Sequence, residues 1–352
     1  MNAVARHARV LFVMGPAEND HLAALRVGLS VGVPSLVLLF AGRPDLIIYA
    51  VFGAFTGMYG RAEDHQRRLR HQSQAAAMLL TGVSVGVLLS VLHVHSLGLV
   101  GIECGLAGLG SLAADRAGLK PTGPFFGLFA LGACASVPTA VPPWVAILIC
   151  AGSAMFSLLV GFAGWARSRR WEPGARRSPG PLRGQRGMTA LVHAGSYVVA
   201  VGAAGALSTL AGIGHPYWAM AAAAVPLAAA DVTSRIHRGI HRIVGTLGGL
   251  AVTALILLPW HGPDPIVLAV FVVILQFPTE LFITRHYALA LVFFTPLILL
   301  MTQLANPRDP ATLLTDRAVE TLLGALVGIA VVLAARPLTP QAEQPLLAQV
   351  QP

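Results

Sequence analysis

Apolar runs of about twenty residues alternate with short polar connections along nearly the whole chain. A hydrocarbon core of about 30 Å takes roughly 20 apolar residues per helix. By that measure the first half predicts six spans, near 22–41, 45–60, 74–93, 97–114, 123–140 and 143–165. The second half predicts six more, near 190–213, 217–233, 243–259, 264–283, 287–304 and 313–335. The expected fold is an all-α polytopic membrane protein of about 12 transmembrane helices, built as two six-helix repeats.

The polar stretches divide this pattern. Residues 1–21 form an N-terminal segment, 22–165 the first membrane half, 166–189 a linker, 190–336 the second half and 337–352 a Pro/Gln-rich tail. The linker runs through Arg167 to Arg186 with many Pro and Gly and no apolar period, a composition that predicts disorder. The apolar stretch Val10–Met14 is too short for the core of a secretory signal, so the first long span is expected to act as an uncleaved anchor.

Charge then sets orientation. Arg6, Arg9, the 61–70 connection, Arg116, Lys120, the linker arginines, Arg235, Arg238, Arg242, Arg285 and Arg336 fall on one side, whereas the opposite connections hold little beyond Arg43 and Arg308. Positively charged connections stay in the cytoplasm, so both termini and the linker are expected there. The net charge of +9 therefore reports orientation and implies no nucleic-acid partner. With 55% hydrophobic and only 11% charged residues, the bilayer itself is the first partner; globular domains carry about 25% charged residues.

Inside two of the spans one pattern recurs, R-x-V-x-T-L-x-G, as Arg242 to Gly249 and Arg317 to Gly324. A charge at the bilayer centre costs roughly 2.5–3.5 kcal/mol on insertion scales and usually faces a bundle interior or a water-filled cavity. The repeated arginine thus points to something anionic handled within the bundle. Arg242 begins its span at the cytoplasmic face and Arg317 begins its own near the outer face, which suits an inverted three-plus-three relation inside the second half. Between the halves, Gly42-Arg-Pro44 and Gly214-His-Pro216 each lead into a short apolar span, which suits a parallel duplication.

At these residues the chain resembles the fusaric acid resistance protein-like family, also described as aromatic acid exporters. The resemblance is most specific from Tyr217 to Pro337, through Tyr217-Trp-Ala-Met, Arg238-Gly-Ile-His-Arg242-Ile-Val-Gly-Thr246-Leu-Gly-Gly249 and Asp316-Arg317-Ala-Val-Glu320-Thr321-Leu-Leu-Gly324. It implies a bacterial inner-membrane permease, with efflux of aromatic carboxylic acids. Plant malate channels, distant relatives, build an anion pore from dimers, which brings a homo-oligomer into consideration. The chain departs from the family in having a short linker and tail in place of a sizeable soluble domain. Its first half is also degenerate, because Arg70 is not followed by the Gly-Thr pair.

The expected function is secondary export of small organic anions coupled to the proton gradient. A passive organic-anion channel and a non-transporting membrane scaffold are the alternatives. Arg242 and Arg317 would present charge to a carboxylate, which arginine binds bidentately, with Thr246 and Thr321 adding hydroxyls. Arg238 lies four residues before Arg242 on the same face and is either a further contact or an interfacial anchor. Glu103, mid-span in a glycine-rich helix, either exchanges the coupling proton or stays neutral and donates one hydrogen bond. Glu320, three residues after Arg317, either serves the proton path or neutralises that arginine in an internal salt bridge. Asp231 is expected to pair locally with Arg235 or Arg238, and Pro226 either breaks or kinks its short span. Glycines at four-residue spacing, among them Gly98, Gly101, Gly105 and Gly108, predict close helix contacts.

Other chemistry has little support. Cys104, Cys134 and Cys150 are odd in number and lie inside spans, so they imply neither a disulfide framework nor a metal site. His93/His95 and His237/His241 have no third ligand nearby in sequence. No phosphate-binding loop, metalloprotease helix or nucleophile elbow is present, so no enzymatic role and no cofactor is expected.

Overall fold

The computed structural model describes residues 13–16, 20–168, 182–259 and 264–336. The chain is a helical multi-pass membrane protein. Among the described residues nine helices are long and apolar enough to cross a membrane, and no strand occurs. We number the helices α1 (Asp20–Phe40), α2 (Ile47–Ala54), α3 (His65–Val91), α4 (Leu97–Ala117), α5 (Phe125–Ser136) and α6 (Pro143–Phe162). The second half continues with α7 (Gly184–Leu210), α8 (Pro216–Leu227), α9 (Val232–Leu257), α10 (Pro265–Phe282), α11 (Tyr287–Ala305) and α12 (Pro310–Ala334).

Four of these are interior. Every residue of α2 is buried, as are Phe125 to Ala135 of α5 and Tyr217 to Leu227 of α8. In α11 72% of the apolar window is buried, against 33–44% for the eight other membrane-length helices around it. Those eight keep leucine- and valine-rich faces outward, the surface a bilayer requires. The inner helices α5 and α8 have only 12 residues each, about 18 Å of rise against a core of about 30 Å. Proline punctuates both: Pro124 caps α5, Pro216 opens α8, and Pro226 is followed one residue later by the end of α8. The predicted spans 123–140 and 217–233 were therefore too long, because apolar Ala, Gly, Pro and Val also make up the flanking coil.

At the basic ends the opposite correction holds. Helix α3 starts at His65 and α9 at Val232, so Arg67, Arg68, Arg70, Arg235, Arg238 and Arg242 lie on helices, not in connections. Asp231 caps α9, accepting from Ser234 N–H at 3.0 Å and from its hydroxyl at 2.6 Å. Arg235 instead donates to the Ala229 carbonyl, so the expected Asp231 ion pair gives way to a cap. Helix α7 begins at Gly184, inside the stretch read as linker, and the remainder of that stretch from 169 to 181 lies outside the described residues. So do residues 1–12 and the 337–352 tail.

Helix α3 packs on α5 and α6, and α9 packs on α11 and α12. Helix α2 packs on α6, α8 on α12, and α1 and α7 each touch the inner helix that follows them. The halves meet at the periphery along α1 against α10 and α4 against α7, and in the interior where α5 touches α8 and α2 touches α11. The ends of α1 and α7 share one turn: Gly42 and Gly212 take φ values of +70° and +69°, and the two residues there bond back identically, 42 to 39 and 43 to 38, 212 to 209 and 213 to 208.

Close approach occurs where glycines press on the inner helices. A Cβ on Gly324 would lie 2.1 Å from the Ala219 carbonyl oxygen of α8, and one on Gly245 would lie 2.4 Å from that of Ala288 in α11. The stripe expected on α4 behaves differently. Gly101 and Gly105 face open space, because that side of α4 is turned away from its neighbours.

Candidate functional site

Helix α8 is the axis of the site. Its first turn carries Tyr217 and Trp218, buried against Phe129 of α5, and ring centroids of Phe129 and Tyr217 are 6.2 Å apart. Phe125 and Phe129, one turn apart on α5, stack at 5.9 Å with planes 14° apart. Above this aromatic floor come the two motif arginines. The Arg242 guanidinium lies 5.6 Å from the Phe125 centroid, and that of Arg317 lies 5.9 Å from Phe129 and 4.9 Å from Trp218.

Both arginines are 1% exposed. Nε, Nη1 and Nη2 of Arg242 and Nε and Nη1 of Arg317 have no hydrogen-bond partner among the described residues. Thr246 and Thr321, one turn further along the same helices, are buried with unpartnered hydroxyls, as is the Trp218 indole N–H. Buried threonines in helices usually bond the carbonyl four residues back, as Thr253 does here. Donors thus outnumber acceptors in this set, in which Glu320 Oε2 is a buried unpartnered acceptor beside Arg317. A buried polar group without a partner is costly, and an anion satisfies this set in one step.

A cavity of about 630 Å³ reaches this floor from the arginine-rich face. It exists because the short inner helices stop early: its wall is made by residues 58–63 after α2, 120–123 before α5, Phe125 and Phe126 at the start of α5, and the end of α8 at Val225 and Ala228. Arg238 stands in that wall, its guanidinium 4.6 Å from the Tyr287 ring centroid. A second cavity, about 390 Å³, opens on the opposite face against His215, Arg308 and Thr312. His215 closes its inner end and stacks 4.5 Å from Trp218. Helix α8 therefore runs between two cavities on opposite faces, with the arginines beside it.

The sequence-predicted residues fall into three groups. Arg242, Thr246, Arg317 and Thr321 come together in the interior, and Arg238 lines the approach. Glu320 lies beside them but forms no ion pair with Arg317 among the described residues. Its Oε1 accepts from the His215 N–H at 2.8 Å and from Ser208 at 3.4 Å. The internal salt bridge is thereby ruled out, because the two side chains leave α12 towards different neighbours. Glu103 is fully buried on α4, neither carboxylate oxygen is bonded, and it lines neither of the two cavities.

Other residues complete the site: Phe125, Phe129 and Tyr287, not singled out in the sequence, and Trp218 and His215, which fall in the quoted stretches Tyr217-Trp-Ala-Met and Gly214-His-Pro216 but were given no role there. Aromatic side chains in apolar runs carry no sequence signal that separates them from ordinary core. His215 lies 3.2 Å from Asp316 through Nδ1. Burial, and after it the Arg308 charge, hold its pKa below the ordinary histidine value, with Asp316 opposing them.

Comparisons with known proteins agree with this region. Residues 202–331 match the family model described as fusaric acid resistance protein-like, which includes α8, α9 and most of α12. Over 141 residues the chain is 30% identical to an uncharacterized membrane protein, YvaC, of Bacillus subtilis (strain 168). That match covers 39% of this chain and 22% of the relative's length. No solved structure matches the chain. The chain is a multi-pass helical membrane protein in which residues 202–331 are similar to the fusaric acid resistance protein-like family.

Proposed function

We propose that this chain exports small organic anions, aromatic carboxylates first among them, across a bacterial inner membrane. Transport is secondary and coupled to the proton gradient. The observation that carries the reading is the unpartnered pair Arg242 and Arg317, buried over stacked aromatic rings between cavities on opposite faces. A carboxylate meets the guanidinium donors and the threonine hydroxyls, and an aromatic body lies on the phenylalanine floor.

In this reading the chain crosses the membrane twelve times as two six-helix repeats, with the arginine-rich face and both termini cytoplasmic. The paired packing of α3 with α5 and α9 with α11, and the matching turns at Gly42 and Gly212, support the repeat. The larger cavity then faces the cytoplasm as the entrance, and His215 with Arg308 marks the exit. Of the two acids expected to carry the proton, Glu320 is the better placed, next to Arg317 and His215.

Purified protein in liposomes tests this directly. Benzoate, salicylate and acetate fluxes are followed with and without an imposed pH gradient, for the native chain and Arg242→Ala. Gradient-dependent benzoate flux that the substitution removes supports the exporter. Flux indifferent to the gradient makes the protein a passive anion channel. Folded protein that moves none of the three overturns the transport reading and leaves the scaffold.

A further inference from the structure

Arg61, in the turn between α2 and α3, is held by acids from both halves. Its Nη1 donates to the Glu280 carboxylate of α10 at 2.8 Å and to the Glu280 carbonyl at 2.6 Å, while Nη2 donates to Asp20 of α1 at 2.9 Å. Glu280 is 1% exposed and Arg61 is 13% exposed by side chain, and both line the 630 Å³ cavity. The other cations of that cavity, Arg67, Lys120 and Arg238, carry no acid within ion-pair distance among the described residues. Arg61 is thus the one cation in the wall whose charge is already met by a carboxylate from within the protein.

We infer that Arg61 is a loading station for the substrate carboxylate and that Glu280 is its stand-in. An incoming carboxylate takes the Nη1 side of Arg61, and the displaced Glu280 carboxylate binds one proton from the cavity water. Charge balances: one anion and one proton enter together, and both oxygens of Glu280 stay in a site where an unpaired charge is costly. When the anion moves on towards Arg242, Glu280 releases its proton to the same face and recloses on Arg61. Asp20 keeps hold of Nη2 throughout, so the α1–α10 seam survives the exchange. Among the charged groups near Glu280, Arg61 bonds it directly and shares its other side with Asp20 of α1, while Glu63, Arg67, Lys120 and Arg238 line the same cavity; Arg26 of α1 donates to the Arg61 carbonyl at 3.0 Å. On its own chain Gln276 approaches Oε1 at 3.5 Å and Arg285 bonds the Gly15 carbonyl.

The inference rests on the proposed export of carboxylates and adds a consequence to it. Loading strengthens as the pH of the arginine-rich face falls, the condition that a weak acid itself creates when it enters a cell and ionises. Glu103 and Glu320 do not line this cavity, so neither accounts for such a dependence.

The test measures benzoate binding and proton uptake together, in weakly buffered detergent solution. Native protein is expected to take up about one proton per benzoate and to bind several-fold more tightly per unit fall in pH. Glu280→Gln is expected to bind benzoate at least as tightly, with no proton uptake and no pH dependence, because Arg61 has lost its internal competitor. Infrared difference spectra of the native protein serve as a check that needs no variant: benzoate should raise a protonated-carboxyl band. Benzoate binding without proton uptake or that band overturns the loading station while leaving export intact. Uptake that persists in Glu280→Gln and vanishes in Glu103→Gln or Glu320→Gln overturns it as well. No benzoate binding to native protein defeats the export reading and this inference with it.

Discussion

Arg242 and Arg317 lie over consecutive turns of one short helix, 5.6 Å above Phe125 and 5.9 Å above Phe129. They arrive there from antiparallel neighbours, α9 and α12, and their charges act on each other. Two buried like charges with no ion pair to either among the described residues destabilise the protein that holds them. Such an arrangement persists where function needs it.

The first prediction follows from that tension. Arg317→Met replaces an unpartnered buried cation with a flexible apolar side chain of similar reach. It should raise the melting temperature in detergent by several degrees and cut benzoate flux at least tenfold. Benzoate should stabilise the native protein more than the variant, which keeps only the contacts outside the Arg317 site. A variant that melts lower would mean that Arg317 is held by interactions stronger than its two ring contacts.

The proposed function assigns substrate selectivity to the aromatic floor. Phe129→Leu keeps an apolar surface beneath Arg317 but removes the stacked ring. An aromatic contact is worth about 0.5–1.5 kcal/mol beyond its area, so the ratio of benzoate to acetate flux should drop about two- to tenfold. Acetate flux itself should change little, and a parallel loss of both would show the ring to be structural only.

Glycine spacing, read from sequence alone, treats all stripes as equal, and the structure separates them. Gly324→Ala sets a Cβ 2.1 Å from the Ala219 carbonyl oxygen and must push α12 off α8; overpacking of that kind costs about 1–3 kcal/mol. Gly105→Ala meets nothing within 4 Å and should gain up to about 1 kcal/mol of helix propensity. Melting curves of the two variants, shifted in opposite directions, check the assignment.

Hydropathy made the order of helices legible because each outer helix needs a long apolar face towards lipid. It misjudged α5 and α8, whose apolar flanks are coil, and it began α3 and α9 too late at their basic ends, since arginine is a good helix former that hydropathy counts as loop. The repeated R-x-V-x-T-L-x-G pattern located half of the site. The other half was hidden: Phe125 and Phe129 read as core, and Arg61 reaches Glu280 across 219 residues of sequence. A sequence without aligned relatives carries no sign of such a pairing.

His215 offers the last test, at the far end of the path. Burial and Arg308 lower its pKa, and Arg317 adds to them, while Asp316 at 3.2 Å pulls the other way. The folded chain therefore binds this proton less readily than the unfolded chain. The stability contributed by neutral His215 is present above the ordinary value of about 6.5 and is lost as pH falls from there through the folded value. A side-chain titration by NMR should find a midpoint below about 6.5. Arg308→Gln should raise it and Asp316→Asn lower it further. Because His215 stacks on Trp218 and its N–H holds Glu320, its protonation adds a third positive charge beside Arg317. A midpoint at or above the ordinary value would mean that Asp316 outweighs burial, and that His215 enters the exit cavity already charged.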